Sequence, residues 1–460
     1  MIMKAKLVFA ITAAKFARWL CRVLNKGGTA LPGRIAVRLC PDILKQLGSQ
    51  VNTVCVTGTN GKTTTCRIVE ECMKEAGLDY FANRAGANLH VGIVTEFIMN
   101  STLSGRMKKH YCVMECDEAA SVRIFADTLP KVITVTNLFA DQVDRFGDVK
   151  GTASYIKKAI AQVPEAALVL NGDCPVSASL AYGMPNRTIL FGFEGTAAPG
   201  DEVPEKTDIP SCMNCGEAQY DYSYIVFDHL GGFKCPKCGA QRKKADIGVL
   251  EIKDQNASGS EIRASVFGKV ENISVNLPAV YNIYNALAAI GSACALGIGE
   301  ETALNSVAAF KGGFGRMEVL NLGKKGARMI LAKNKAGTDQ VIRYIQTLKE
   351  PFVLSFCLNH RVSDGTDFSW IEEADYEELL ETGDLLKKVY VSGECSEELY
   401  KRLKEAGISE NIMMIENDYQ KLARQLNEED VQILVIPNYT AMMESRDAII
   451  KLCGGDNFWE

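Results

Sequence analysis

The sequence predicts an α/β protein: a central domain carrying a phosphate-binding loop (P-loop), a four-cysteine zinc ribbon inserted into it, and a smaller α/β domain at the C-terminal end. Three observations predict this. Short apolar, β-rich runs alternate with helical segments along most of the chain, the pattern of a parallel sheet covered on both faces. A Gly-rich turn, Gly58 to Gly61, joins the first such strand to a helix. Two Cys-x-x-Cys pairs, Cys212/Cys215 and Cys235/Cys238, are separated by nineteen residues, a four-thiolate ribbon spacing.

Composition sets the outer limits. The 460 residues suffice for two to four domains at about 100–200 residues each. A content of 47% hydrophobic and 23% charged residues excludes a disordered chain. The formal net charge of −5 argues against binding nucleic acid through overall charge. Sixteen cysteines, mostly within apolar runs, are too sparse for a disulfide scaffold and point to a reducing, cytoplasmic setting. Four histidines leave little room for imidazole chemistry. The expected division is a helical segment over 1–48, a central domain over 49–315 with the insertion at about 205–245, and a C-terminal domain over 316–460.

Taken in order, the first 25 residues are apolar but interrupted by Lys4, Lys6, Lys15, Arg18 and Arg22, with no cleavage site after them. The run from Leu7 to Ala14 falls well short of the ~20 residues of a membrane span. Lys15, Arg18 and Arg22 share one helical face, which suits either a membrane surface or a helix packed on its own domain with a solvated basic face. The second reading is favoured here, because amphipathicity alone seldom decides. Strands are expected at Thr53–Val56, Tyr111–Met114, Val132–Val135 and Ala167–Leu170, then at Ile247–Ile252 and Glu261–Val266, with a helix at Asn282–Ala295. After the Gly312–Arg316 hinge, a second α/β rhythm places strands near Met329–Leu331, Phe352–Phe356, Lys388–Val391 and Val431–Ile436.

The strongest motif runs from Val54 to Thr65. Strand, turn and helix start aim backbone N–H groups at one anion, with Thr57, Gly58, Thr59, Asn60, Gly61, Lys62, Thr63 and Thr64 around it. Lys62 would reach the outer phosphates of a nucleotide such as ATP, and the Thr63 hydroxyl would sit on Mg²⁺. Val56 stands where the general loop has its first Gly. Glu115, directly after a strand, is the candidate second Mg²⁺ ligand, with Asp117 and Glu118 as alternatives and a solvated acidic turn as the plain reading. Asn137, Asp141 and Asp144 follow the next strand and either meet a nucleotide or cap a helix. In the insertion, Cys212, Cys215, Cys235 and Cys238 fill a tetrahedral site, so the expected Zn²⁺ is structural.

Together these motifs resemble the Mur ligases, ATP-dependent amide-forming enzymes of peptidoglycan synthesis and folate polyglutamylation, whose phosphate loop also lacks the first Gly. The resemblance implies a Mur ligase-like fold, in which ATP phosphorylates a carboxylate and an amine attacks the acyl phosphate. Val280–Ala289 resembles the family's asparagine-bearing helix start, which implies that Asn282 contacts the nucleotide. Phe314–Glu318 resembles its junction into the last domain, which implies the same for Arg316.

Departures from the common pattern narrow the resemblance. Only about 50 residues precede the loop, too few for a UDP-binding domain as well. Gln142 and Tyr281 stand where His is usual, and no lysine clearly matches the carbamylated one. With the cysteine insertion, these features resemble an amidating branch of the family. Its ligase subunit pairs with a GatD-like class I glutamine amidotransferase and amidates the α-carboxylate of D-glutamate in the lipid II stem peptide, giving D-isoglutamine. That resemblance covers Leu358–Ile371 and implies an activity-critical aspartate near the partner's glutaminase site, Asp364, with Asp367 as runner-up. Read from the residues alone, Asp364-Gly365 is a turn. No cysteine can be placed beside a histidine as a glutaminase nucleophile in this chain. Two other readings stay open: a stand-alone Mur-like amino-acid ligase, folylpolyglutamate-type or polymer-forming, and a nucleotide-binding zinc-ribbon module on nucleic acid.

Overall fold

A computed structural model describes residues 2–24, 28–83, 87–139, 149–197, 209, 211–256, 258–312, 315–361, 364 and 368–454. Its larger sheet contains β1 (Asn52–Thr57), β2 (Tyr80–Ala82), β3 (Tyr111–Glu115), β4 (Val132–Val135), β5 (Ala167–Asn171), β6 (Thr188–Phe193), β9 (Ile247–Asn256), β10 (Gly259–Val266) and β11 (Lys269–Val275). The order is β11-β10-β9-β6-β5-β4-β1-β3-β2. Neighbours from β2 to β9 run parallel, and β9, β10 and β11 form an antiparallel flank. The central strands are buried along nearly their whole length, which is why they read as continuous apolar runs rather than alternating ones. Helices Lys62–Glu75 and Val280–Leu296 pack against each other over this sheet.

A second, six-stranded sheet holds β12 (Arg316–Leu320), β13 (Ala327–Ile330), β14 (Phe352–Cys357), β15 (Leu386–Ser392), β16 (Met413–Ile415) and β17 (Gln432–Pro437), in the order β12-β13-β17-β14-β15-β16. All neighbours are parallel except β12 and β13. Its first strand is pinned by a buried bidentate pair in which Arg446 donates to Glu318 at 2.8–3.1 Å, and Glu318 also accepts from the Gly315 N–H at 2.7 Å. Beyond the expected strands, these two sheets add the short β2 and β16, the interior β6, and β11 and β12 at their edges.

The first 48 residues form three helices, Ile2–Val23, Leu31–Leu39 and Ile43–Gly48. The first buries Leu7, Ala10, Ile11, Ala14, Ala17 and Cys21. It packs on its own domain as expected, but the expectation that its outer face is a solvated basic one needs correction, because large apolar side chains project there.

The insertion leaves the large sheet after β6 and returns at β9, carrying a two-stranded ribbon, β7 (Asp221–Phe227) and β8 (Leu230–Lys234). Arg242 moors its exit, donating to Asp173 Oδ1 at 3.0 Å, Glu194 Oε2 at 3.0 Å and the Phe193 carbonyl at 2.5 Å. The other Asp173 oxygen accepts from the Phe193 N–H at 2.7 Å and the Tyr284 hydroxyl at 2.8 Å. The polar residues after β5 therefore seal the base of the insertion. Asp173→Ala should leave the buried guanidinium with Glu194 as its one remaining carboxylate here and the Tyr284 hydroxyl without this acceptor, at a cost of about 3 kcal/mol, read as a lower urea midpoint. Glu251→Ala, removing a half-exposed partner of Arg263, should cost less than about 1 kcal/mol.

Candidate functional site

Strands β1, β3 and β4 end level with one another: Val56 lies opposite Glu115, and Thr57 opposite Val135. The chain reaches β3 on one side of β1 and β4 on the other, so the crevice beyond their carboxyl ends is a topological switch point, where open α/β sheets hold ligands. The loop after β1 enters it. At Gly61, φ is +85° and a Cβ would collide with Asn285 Oδ1, so only glycine lets the helix start beneath that side chain.

Asn60 is gripped like a paired strand residue. Its N–H donates to Asn137 Oδ1 at 2.9 Å, and its carbonyl accepts from Asn137 Nδ2 at 3.2 Å and Thr136 Oγ1 at 2.6 Å. Thr59 Oγ1 accepts from the Phe139 N–H at 3.0 Å. Lys62 folds back over the loop, donating to the Gly58 carbonyl and to Glu118 Oε1 at 2.8 Å. The Thr63 hydroxyl donates to Glu115 Oε2 at 2.7 Å, and Asn83 holds the Glu115 backbone on both sides at 2.8 Å. Two hard oxygen donors at this separation fit neighbouring positions around Mg²⁺, where about 2.9 Å follows from octahedral bonds of about 2.0–2.1 Å. The alternatives to Glu115 are engaged elsewhere: Asp117 Oδ1 accepts from the Ala119 and Ala120 N–H groups at 3.1 Å, and Glu118 pairs with Lys62.

Between the two sheets lies an open cleft of about 660 Å³. Asn60, Gly61, Thr64 and Asn137 form one wall, and Met317, Ile330, Leu331 and Val341 the other, with Phe139, Phe227, Tyr281, Asn282 and Asn285 between them. The mixture of apolar walls with a few amides is the lining of a small-molecule site. Two strained residues border it: Ala279 (φ +73°), just before the helix bearing Asn282, and Met317 (φ +56°), at a β12 irregularity that turns its side chain into the cleft. One hydrogen bond crosses the entrance, from Asn334 Nδ2 to Asn60 Oδ1 at 3.3 Å.

The four cysteine sulfurs of the insertion lie within 4.8 Å of one another. Cys212 and Cys238 are 3.7 Å apart, and Cys215 and Cys235 are 3.8 Å apart. A tetrahedron of about 2.3 Å Zn–S bonds has edges of about 3.8 Å, so the set fits that ion. Each knuckle turns at a left-handed glycine, Gly216 or Gly239. Asn214 Nδ2 donates to the Cys238 sulfur at 3.5 Å, drawing that thiol down to about 6.

The second sheet has its own switch point between β14 and β17, and Asp364 stands there. It accepts from the Thr440 N–H at 2.8 Å, the Thr440 hydroxyl at 2.5 Å and the Arg361 N–H at 3.2 Å. Among the described residues it makes no hydrogen bond to the phosphate loop. Asp367, Asp141, Gln142 and Asp144 lie outside the described residues, as does the side chain of Arg316.

Comparison with known proteins identifies both halves of this arrangement. Residues 56–224 match the Mur ligase middle domain, and residues 331–442 match the MurT ligase C-terminal domain. The lipid II isoglutaminyl synthase (glutamine-hydrolyzing) subunit MurT of Streptococcus pneumoniae is 32% identical over 97% of this chain and 98% of its own length. Its counterpart from Staphylococcus aureus is 32% identical over 94% and 95%. The chain belongs to the MurT family of Mur ligases. The fold agrees with that of a pseudomurein peptide ligase type C from Methanothermus fervidus, at a TM-score of 0.64 and 21% identity over 88% of this chain and 79% of that one.

Within this MurT-family chain, sequence reasoning missed Phe227 and His229 at the ribbon's tip. Phe227 stacks on Phe139 at 5.9 Å and lines the cleft. His229 lies against Phe139 at 4.6 Å, with Nδ1 3.0 Å from Asp228 Oδ1 and Nε2 3.6 Å from Cys174 Sγ. The fold thus places a cysteine beside a histidine that the sequence did not suggest, and both are fully buried. Asn334 was missed too, although Asn-x-x-Gly before an amphipathic run is an N-cap signal. Burial alone would lower the His229 imidazole, but the Asp228 carboxylate and the Cys174 sulfur outweigh it and bring it up to about 10. The charged ring therefore stabilises fully below about pH 6.5 and loses its effect as pH rises through about 10. His229→Gln should flatten the fall in Tm that the parent chain shows between these values.

Proposed function

We propose that this chain is the ATP-dependent synthetase subunit of a lipid II isoglutaminyl synthase. It converts the α-carboxylate of D-glutamate in the lipid II stem peptide to the amide of D-isoglutamine. A GatD-like class I glutamine amidotransferase subunit supplies the ammonia, and the pair works in the cytoplasm at the inner face of the membrane, where a lipid-linked substrate lies. The observation that carries the reading is the Thr63–Glu115 pair and Lys62 at the level ends of β1 and β3, facing a cleft closed by a MurT-type second domain.

In this reading the chain divides at 1–48, 49–315 and 316–460. The N–H groups from Thr57 to Thr64 cradle the phosphates of ATP, and Asn137, Asn282 and Arg316 complete its site. Lys62 exchanges Glu118 for the γ-phosphate and stabilises the charge that develops as the phosphoryl group moves to the substrate carboxylate. Mg²⁺ on Thr63 and Glu115 would neutralise phosphate charge. Ammonia then attacks the acyl carbon, the C–O bond to phosphate breaks, and the nitrogen sheds a proton to give the amide. Asp364, with Asp367 nearby in sequence, faces the partner, and Thr440 holds its carboxylate in place. Cys212, Cys215, Cys235 and Cys238 hold structural Zn²⁺, which keeps the ribbon and Phe227 in place.

The test is amide formation from lipid II, ATP and glutamine with the co-purified partner. Lys62→Ala should lower the rate on the order of 10²–10³-fold. Asp364→Asn should abolish glutamine-driven turnover while ammonium chloride still supports it. Amide formation from glutamine by this chain alone, or amino-acid-dependent ATP turnover without a partner, would overturn the reading. Elemental analysis should find one zinc per chain, lost with much of the thermal stability in Cys215→Ser; a stable, zinc-free variant would count against a structural metal.

A further inference from the structure

Helix Ile2–Val23 has two unlike faces. Its small and aliphatic side chains, Ala10, Ile11, Ala14 and Ala17 among them, are buried. Roughly opposite, Phe9, Phe16 and Trp19 are 63%, 61% and 57% exposed, with Leu20 and Val23 exposed beside them. The Phe16 and Trp19 rings stack at 5.6 Å, so the aromatic surface is preassembled and faces outward. Contiguous apolar surface of this kind on a water-soluble domain marks an interaction site.

The charge around it is equally one-sided. The first 41 residues contain eight Lys and Arg and no Asp or Glu, within a chain of net charge −5. Lys4, Lys6 and Arg22 are exposed on the same helix. The helix packed against it exposes Leu31, Arg34 and Arg38, spaced i, i+3 and i+7 along one face. Lys15 instead turns inward and donates to the Ser101 carbonyl. Among the described residues, no helix is long and apolar enough to cross a membrane.

We propose that this face docks the enzyme flat on an anionic bilayer, with the aromatic stripe at the headgroup–acyl boundary and the basic residues on lipid phosphates. Charge selects this occupant. Pairing of two copies through the face would bring two sets of like charge together, and a purely apolar protein partner would leave the basic residues without a counterpart. The docking deepens the reading above, because it places the enzyme at the surface that holds a lipid-linked substrate, but its physical basis does not depend on the ligase chemistry.

The experiment is co-sedimentation of the full chain with phosphatidylcholine vesicles, with and without phosphatidylglycerol. Binding is expected to the mixed vesicles, weaker by at least about tenfold in high salt or without the anionic lipid. Phe16→Ser/Trp19→Ser should abolish it, and Lys4→Glu/Arg22→Glu should weaken it, with Tm unchanged in both variants. Tryptophan emission should shift to the blue on mixed vesicles, and Trp19→Phe should remove the shift. Equal sedimentation of the parent and Phe16→Ser/Trp19→Ser would overturn the proposal. So would a solution dimer, or capture of the amidotransferase subunit, that the same variant dissolves, since either assigns the face to protein. Lys62→Ala should leave vesicle binding intact, so failure of docking and failure of the ligase reading are told apart.

Discussion

The pairing of Asn60 with Asn137 is the constraint on which the site's geometry depends. A side-chain amide extends β4 by one residue's worth of backbone pairing and holds the turn after β1 against it. A buried backbone N–H and carbonyl left open here would each cost a hydrogen bond's desolvation. With the pair made, the helix start, Lys62 and Thr63 are all fixed relative to β3, where Glu115 waits. The Asn60 side chain faces the other way and accepts from Asn334, so one residue registers the phosphate loop against both sheets.

The insertion is tied into this arrangement at two places. At its exit, Arg242 is held by three acceptors from the large domain. At the tip of its ribbon, Phe227 and His229 lie on Phe139, two residues beyond Asn137. The four-cysteine cluster is therefore joined through a short hairpin to a side chain that forms the cleft wall. A ribbon that hung from the surface as an appendage would have no such contact.

Much of this was legible from local pattern. Most strands of the two sheets, the loop from Thr57 to Thr64, the pairing of Thr63 with Glu115 and the four-thiolate cluster rest on short-range spacing and strand-end logic, and the fold brings those residues together. The resemblance on residues 280–289 pointed to the cleft that Asn282 lines, while the side chain of Arg316, which the resemblance also named, lies outside the described residues. What stayed hidden depends on contacts between residues far apart in sequence: Cys174 with His229, Asp173 with Arg242, Asn60 with Asn334. Composition misled at one point. The basic residues of the first helix suggested a solvated face, whereas helical spacing puts Phe9, Phe16 and Trp19 outward and the small residues inward.

The strand orders carry a consequence for solubility. The large sheet ends in the three-residue β2 on one side and in β11, whose outer residues include Lys269, Glu271 and Asn272, on the other. The small sheet ends in the three-residue β16 and in the bulged β12. Unpaired edges invite strand addition by a neighbouring molecule, and brevity, charge and irregularity each discourage it. Among the described residues, the two open sheets thus offer little template for fibril-like growth, and the exposed aromatic side chains of the first helix stand apart from these edges.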